Sequence, residues 1–170
     1  ERITRLIPPD VPLVFDSAFG GDAWEAVLHA RGAFEQFRAD ALTVSTLCED
    51  VLAALAGFPG KGCFIQAAAE NLRAVLSRAE RFAAGLSVTA AQVATARAHT
   101  HHAPLWVRDA ERLDASALAS VAREGRSDDG LLPLLRVGQR VLSASRRMDF
   151  AERMREAAKS LRDGMLALDW

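Results

Sequence analysis

His99, His101 and His102 lie within four residues, the one place in the sequence where histidines cluster. A metal held by one helix needs ligands three or four positions apart, and His99 and His102 meet that spacing. No carboxylate or cysteine stands close by in sequence to complete the shell. The competing account is a polar helix end before Pro104, where imidazoles also suit the helix dipole. Cys48 and Cys63 are the only thiols. Cys48 occupies a place where a small apolar residue belongs. Cys63 follows a glycine-rich turn, and a helix start there would lower its pKa. Two cysteines make no disulfide framework, so free thiols are expected.

The run Gly57-Phe58-Pro59-Gly60-Lys61-Gly62 superficially evokes a phosphate loop, but its order is not that of a P-loop. It reads as a corner between two elements. Serine-hydrolase, zinc-protease and paired-cysteine motifs are absent from the sequence. Arg136, Arg140, Arg146, Arg147, Arg153, Arg155, Lys159 and Arg162 make the C-terminal part basic. Asp149, Glu152, Glu156 and Asp163 interleave with them, which describes a solvated, ion-paired helix face. Trp24 and Trp106 read as core at the ends of a bundle, and Trp170 as an end-of-chain contact. This reading assigns no catalytic residue, no cofactor and no metal; His99 and His102 are the only metal candidates.

The elements around these residues read as helices. Alanine makes up about a fifth of the chain and tyrosine is absent, a balance that favours helix over sheet. Val27, Phe34, Phe37, Val44, Val51 and Leu55, with small residues between them, keep a spacing of three and four. After the corner, Ile65, Leu72, Val75, Phe82 and Leu86 resume it. A period of 3.5 residues asks for a partner helix. The expected fold is therefore all-α: an elongated bundle built on a long antiparallel hairpin of coiled-coil type. Its four helices would span about 22–56, 63–102, 105–124 and 131–168. Residues 1–21, with Pro8, Pro9 and Pro12, would form an extended arm, and 22–170 the bundle. Asp22 and Glu25 fit a capping box at the first helix start. Gly85 and Ser87-Val88-Thr89 mark either a kink within the second helix or the start of a separate helix capped by Ser87.

Pro8-Pro9, a short apolar arm and Ala18-Phe19-Gly20 opening a long helix resemble a segment in the central helical region of the large tegument protein of alphaherpesviruses. Gly62-Cys63-Phe64-Ile65 and Asn71-Leu72 add to that likeness, which covers residues 7–100. The resemblance implies a non-enzymatic helical spacer or scaffold between tegument and capsid. It places the protein in the virion tegument and in host cytoplasm or nucleus. That family's cysteine deubiquitinase lies elsewhere, and neither Cys48 nor Cys63 matches its site.

The net charge is −1, so no global field draws the chain to nucleic acid. No apolar run approaches the ~20 residues of a membrane span. The chain begins at Glu1 without Met, as a piece of a larger protein would. Exposed apolar stripes point to self-association as a dimer, and the resemblance implies contacts with other virion or assembly proteins. The alternative function is an intracellular bacterial helical adaptor or effector binding a protein partner.

Overall fold

Ala41-Leu42-Thr43-Val44 is buried at all four positions, and so is Gly85-Leu86-Ser87-Val88. A segment covered on both faces shows no polar alternation and reads as a plain apolar run, as strands of parallel sheets do. Both runs are strands. The computed structural model describes residues 6–166, and its fold is α/β rather than all-α.

The chain divides into two units, Glu1–Ser87 and Val88–Trp170. In the first, β1 (Val14–Phe19), β2 (Ala41–Val44), β3 (Gly62–Gln66) and β4 (Gly85–Val88) follow chain order. Each pairs in parallel with the next. Parallel neighbours cannot be joined by a tight turn, so each pair needs a crossover. Helices α1 (Ala23–Arg31), α2 (Glu49–Ala56) and α3 (Leu72–Arg81) supply the crossovers. Leu42, Val44, Val51, Leu52, Ile65, Val75 and Leu86 are at most 1 % exposed and form the core of this unit. Burying each such side chain contributes roughly 1.5–3 kcal/mol.

In the second unit, α4 (Val93–His99) leads to β5 (Leu105–Val107), and α5 (Ala115–Glu124) to β6 (Leu134–Leu135). The helices α6 (Gly138–Leu142) and α7 (Phe150–Leu166) follow, and α7 packs on α5 and α6. β5 and β6 are parallel. Pro104 and Pro133 each stand just before a strand. Gly125 ends α5 in close quarters: a Cβ there would lie 2.8 Å from Pro133 and 3.1 Å from Val93.

The four long helices are therefore corrected to strands alternating with short helices. The expected seam is no helix–helix interface. Val27 lies on α1, Val51 and Leu55 on α2, Leu72 and Val75 on α3, while Val44, Ile65 and Leu86 lie on β2, β3 and β4. Phe34 lies in the wide helical turn Gly32–Gln36 that Phe37 closes, and Phe82 caps α3. Two of the stops that separate these elements carry no glycine, unlike the Gly57 stop of α2. Arg38 (φ +58°) and Ala83 (φ +50°) take the left-handed conformation where glycine is the usual residue. At the second stop, the Ala84 N–H donates back to the Ala79 carbonyl at 2.8 Å. The break near residue 85 is β4. Within the former arm, Val14–Phe19 is β1. The capping box forms as expected: Glu25 N–H donates to Asp22 Oδ1 (2.9 Å) and Asp22 N–H to Glu25 Oε2 (3.3 Å).

Asp40 ties the amino ends of three strands together. Its carboxylate accepts the Leu13 N–H at 2.9 Å, and its own N–H donates to the Leu13 carbonyl at 2.7 Å. Its carbonyl accepts the Gly62 N–H at 2.9 Å. Lys61 Nζ donates to the Ala39 carbonyl (2.7 Å) and lies 3.4 Å from Asp40 Oδ1. The Leu13 N–H, with help from Lys61, holds the Asp40 carboxyl below its usual pKa.

Val44 has no exposed surface. Val44→Asp is expected to abolish cooperative unfolding of the first unit, since an unpaired buried charge costs several kcal/mol; a wild-type melt by circular dichroism would remove Val44 from the core. Asp40 has a lowered folded pKa, so its contribution is present above the ordinary carboxylate value and is lost as pH falls through the folded one. Asp40→Asn should flatten the fall of stability with acid below about pH 4, measured by denaturant melts at several pH values; an unchanged slope would show that Asp40 carries none of it.

Candidate functional site

Ligand sites in parallel α/β sheets lie beyond the carboxyl ends of the strands. In the first unit the strand that brings chemistry to that edge is β1, and it is bulged. Phe15 pairs with Leu42 and Phe19 with Val44, four steps along β1 against two along β2. Bulges re-aim side chains and recur beside active sites. Ala18 sits within this one at φ +46°.

Thr43 fills the bulge. Its hydroxyl donates to Asp16 Oδ1 at 2.9 Å and accepts the Ala18 N–H at 2.8 Å. Ser17 Oγ donates to the Thr43 carbonyl (3.1 Å), and Ser45 Oγ to the Ala18 carbonyl (2.8 Å). Thr43 is 2 % exposed, whereas Asp16 is exposed. A buried hydroxyl thus fixes a carboxylate that reaches solvent.

Strand register shows which side this group occupies. Phe15 and Phe19 pair with Leu42 and Val44, and His29 of α1 packs on both, 5.7 Å and 4.9 Å between ring centroids. That face belongs to the helix. Thr43 alternates to the other, with Phe64, its register partner, and with Gln66 and Ser87, which pair with each other. The face away from the helices therefore carries hydroxyls and an amide toward its carboxyl end, beside Asp16.

The junctions that follow the strands close on themselves. Asn71 Oδ1 accepts the Ala68 N–H at 2.7 Å, and Gln92 Oε1 accepts the Thr89 N–H at 2.8 Å. With Glu25 and Asp22, that is one device used three times: a side-chain oxygen three residues on takes up a junction N–H. Asp109 Oδ1 accepts the Ala90 N–H at 2.8 Å. Helix N-termini commonly hold anions through such groups, and these are already engaged.

Cationic groups are sparse at this edge. The two lysines are Lys61 and Lys159. Lys61 stands at the amino ends of the strands, beside a cavity of about 220 Å³ that Arg38 also lines, and Lys159 lies on α7. In the second unit Arg108 directly follows β5 and Arg136 follows β6. Burial lowers the Arg108 pKa, and the neighbouring Asp109 charge raises it.

The structure separates the histidines. His99 Nδ1 lies 2.8 Å from the Thr95 carbonyl, whereas His102 pairs with Asp129 at 2.9 Å and His101 with Asp128 at 3.4 Å. Among the described residues, no three His, Cys, Asp or Glu side chains converge as a metal site would need. Cys48 and Cys63 are free thiols. Cys63 is on β3 rather than at a helix start, and burial pushes its pKa up to about 11. Trp24 is 70 % exposed on α1 and Trp106 lies on β5, so neither ends a bundle; Trp170 lies outside the described residues. On α7, Arg153 pairs with Asp149 and Glu156 at 3.3 and 2.9 Å, as an ion-paired face should. No helix among the described residues is long and apolar enough to cross a membrane. The groups passed over in the sequence are Asp16, Thr43, Gln66 and Arg108, while Arg136 reads there only as part of a solvated basic face. A carboxylate interrupting the apolar run Val14-Phe15-Asp16 is the one visible signal among them.

Strands alternating with helices, with polar side chains gathered at the strand carboxyl ends, place the chain in the α/β class built from repeated βα units. Within that class its parallel strands match part of the TIM-barrel fold of the orotidine-monophosphate decarboxylases. A Toxoplasma gondii protein described as such a decarboxylase matches with TM-score 0.73 and 18 % identity, over 98 % of this chain and 72 % of its own. The Leishmania donovani OMP decarboxylase matches at 0.71 and 21 %, over 98 % and 73 %. The Leishmania donovani UMP synthase matches at 0.72 and 22 %, over 95 % and 41 %. At these identities the likeness establishes the fold. No family model matches the sequence, and no curated protein does. These neighbours are cellular enzymes. They overturn the tegument resemblance, and with it the non-enzymatic scaffold, the virion setting and the bacterial adaptor.

Thr43→Val should lower stability by about 1–3 kcal/mol, because the Ala18 N–H loses its acceptor in a part-buried site. Thr43→Ser should recover most of that loss in thermal melts. Equal melting of Thr43→Val and wild type would show that the hydroxyl does not hold the bulge.

Proposed function

We propose that this chain is a pyrimidine-nucleotide enzyme of the orotidine-monophosphate decarboxylase type, taking a nucleoside monophosphate at the carboxyl ends of its parallel strands. The observation that carries this reading is the fold likeness to proteins so described across 95–98 % of the chain. The local chemistry supports it. Asp16, oriented by Thr43 at 2.9 Å, is an acceptor for ligand hydroxyl groups. Thr43, Gln66 and Ser87 give their face of the strands neutral polar groups suited to a heterocycle.

Loss of carbon dioxide from a base leaves an electron pair on the ring carbon, which must take up a proton. Neither lysine stands at these strand ends. Asp16 lies on β1 of the first unit, and within the second unit Arg108, Asp109 and Arg136 follow the strands. Proton delivery from any of them depends on placement more than on ordinary pKa.

The test is calorimetric titration of the purified chain with orotidine monophosphate and uridine monophosphate, with release of carbon dioxide followed in parallel. Saturable binding and gas release are expected. Asp16→Asn should weaken nucleotide binding about tenfold or more. Binding without gas release would remove decarboxylation and leave the nucleotide site; failure of the wild type to bind either nucleotide would sink the reading.

A further inference from the structure

The amino ends of the strands in the first unit border a cavity of about 220 Å³, at the opposite end from the nucleotide reading. Asp40 and Lys61, which stand directly before β2 and β3, line it with Phe34, Phe37 and Arg38. The Pro8-Pro9 pair lines it from the segment before β1. Phe34 is buried and meets Phe58 edge-on at 5.3 Å, and Phe37 stacks on Phe15 at 5.6 Å. Each ring is braced by another, which keeps it from collapsing into the space.

Three charged groups share this wall. Lys61 and Asp40 answer one another: the ammonium lies 3.4 Å from Asp40 Oδ1 and donates to the Ala39 carbonyl at 2.7 Å. Arg38 differs. Among the described residues its guanidinium has no hydrogen bond and no ion pair, and it acts on Asp40 only through space. Two cations against one carboxylate leave the cavity one positive charge. Arg38 also sits at φ +58°, where a side chain is strained and glycine is not. Backbone strain of this kind collects where a side chain has a task to perform.

We propose that this cavity binds a small aromatic carboxylate, with its ring against Phe34 and Phe37 and its carboxylate on Arg38. Size sets the first limit: an apolar cavity of about 150 Å³ takes up benzene, so this one accommodates a ring with one substituent. Aromatic side chains attract a further ring in offset or edge-on geometry. A guanidinium offers a carboxylate two parallel N–H donors. Asp40 sets the second limit. Its carboxylate, held by the Leu13 N–H and by Lys61, borders the same space and repels a second negative charge. A neutral ring gains nothing from Arg38, and a bare anion gains nothing from the rings.

The experiment titrates benzoate, benzyl alcohol and acetate into the wild-type chain and into Arg38→Gly, with backbone amide signals followed by NMR. Benzoate is expected to saturate and to shift the signals of Leu13, Phe37 and Lys61 while leaving those of Asp16 and Gln66 in place. Benzyl alcohol and acetate should each bind at least tenfold more weakly. Arg38→Gly should melt close to wild type, since glycine takes this conformation without strain, yet bind benzoate at least tenfold more weakly. If that variant does not melt as wild type, Arg38→Gln, which removes the charge and keeps the side chain, carries the same expectation. Absence of saturable benzoate binding overturns the site, as does equal binding by the variant or by benzyl alcohol. Displacement of benzoate by uridine monophosphate also overturns it, because the ring would then lie at the other strand ends. The nucleotide reading stands or falls on its own titration.

Discussion

Asp40 uses every polar group it has at the amino edge of the first unit. Its N–H and carboxylate grip the residue before β1, and its carbonyl receives the N–H that opens β3. A strand that slipped by one residue would lose all three bonds and turn its core side chains outward. Register set at this edge propagates to the other, because each strand is only four to six residues long. Thr43 meets the bulge of β1, and Gln66 meets Ser87, because Asp40 fixes where counting begins. Lys61 belongs to the same arrangement, its ammonium held by the Ala39 carbonyl and the Asp40 carboxylate at the amino ends of the strands.

Local signals that act over three or four residues were legible in the sequence. The Asp22–Glu25 capping box, the corner at residues 57–62 and the ion-paired character of α7 follow from side chains near one another in the chain. Strands were not legible. Val44, Ile65 and Leu86 are covered on both faces and show no period of two, and the short helices before and after them keep the spacing of a helix face. Counting across β2 from Val27 to Leu55 produces a seam that no single helix owns. Arg38 and Ala83 hid the boundaries, since a left-handed residue that is not glycine gives no sign of itself. Only the burial pattern created by parallel pairing distinguishes these pieces, and pairing is a long-range property.

The site was less legible than the fold. Asp16 could be noticed as a charge inside an apolar run, yet its role depends on a hydroxyl 27 residues away. Arg108 and Arg136 are 28 positions apart and become neighbours only through strand register. The histidines and cysteines drew notice because their types are rare and reactive, and the structure sends the clustered histidines to separate partners rather than to one centre: His99 to its own helix, His101 and His102 to Asp128 and Asp129. Groups that matter at a strand edge are ordinary residues made significant by adjacency.

The three junction clasps share a property that bears on how such a site changes over time. Glu25, Asn71 and Gln92 each contribute one oxygen that accepts an N–H, and an amide or a carboxylate of the same length supplies that oxygen equally well. Backbone shape at these points is therefore independent of charge. Exchanging Asn71 for aspartate, or Gln92 for glutamate, would add a negative charge beside the strand ends without moving the chain. Neutral amides at both positions keep the edge hospitable to anions, and a lineage could retune its preference for ligand charge there through single-nucleotide-scale changes while the scaffold stayed still.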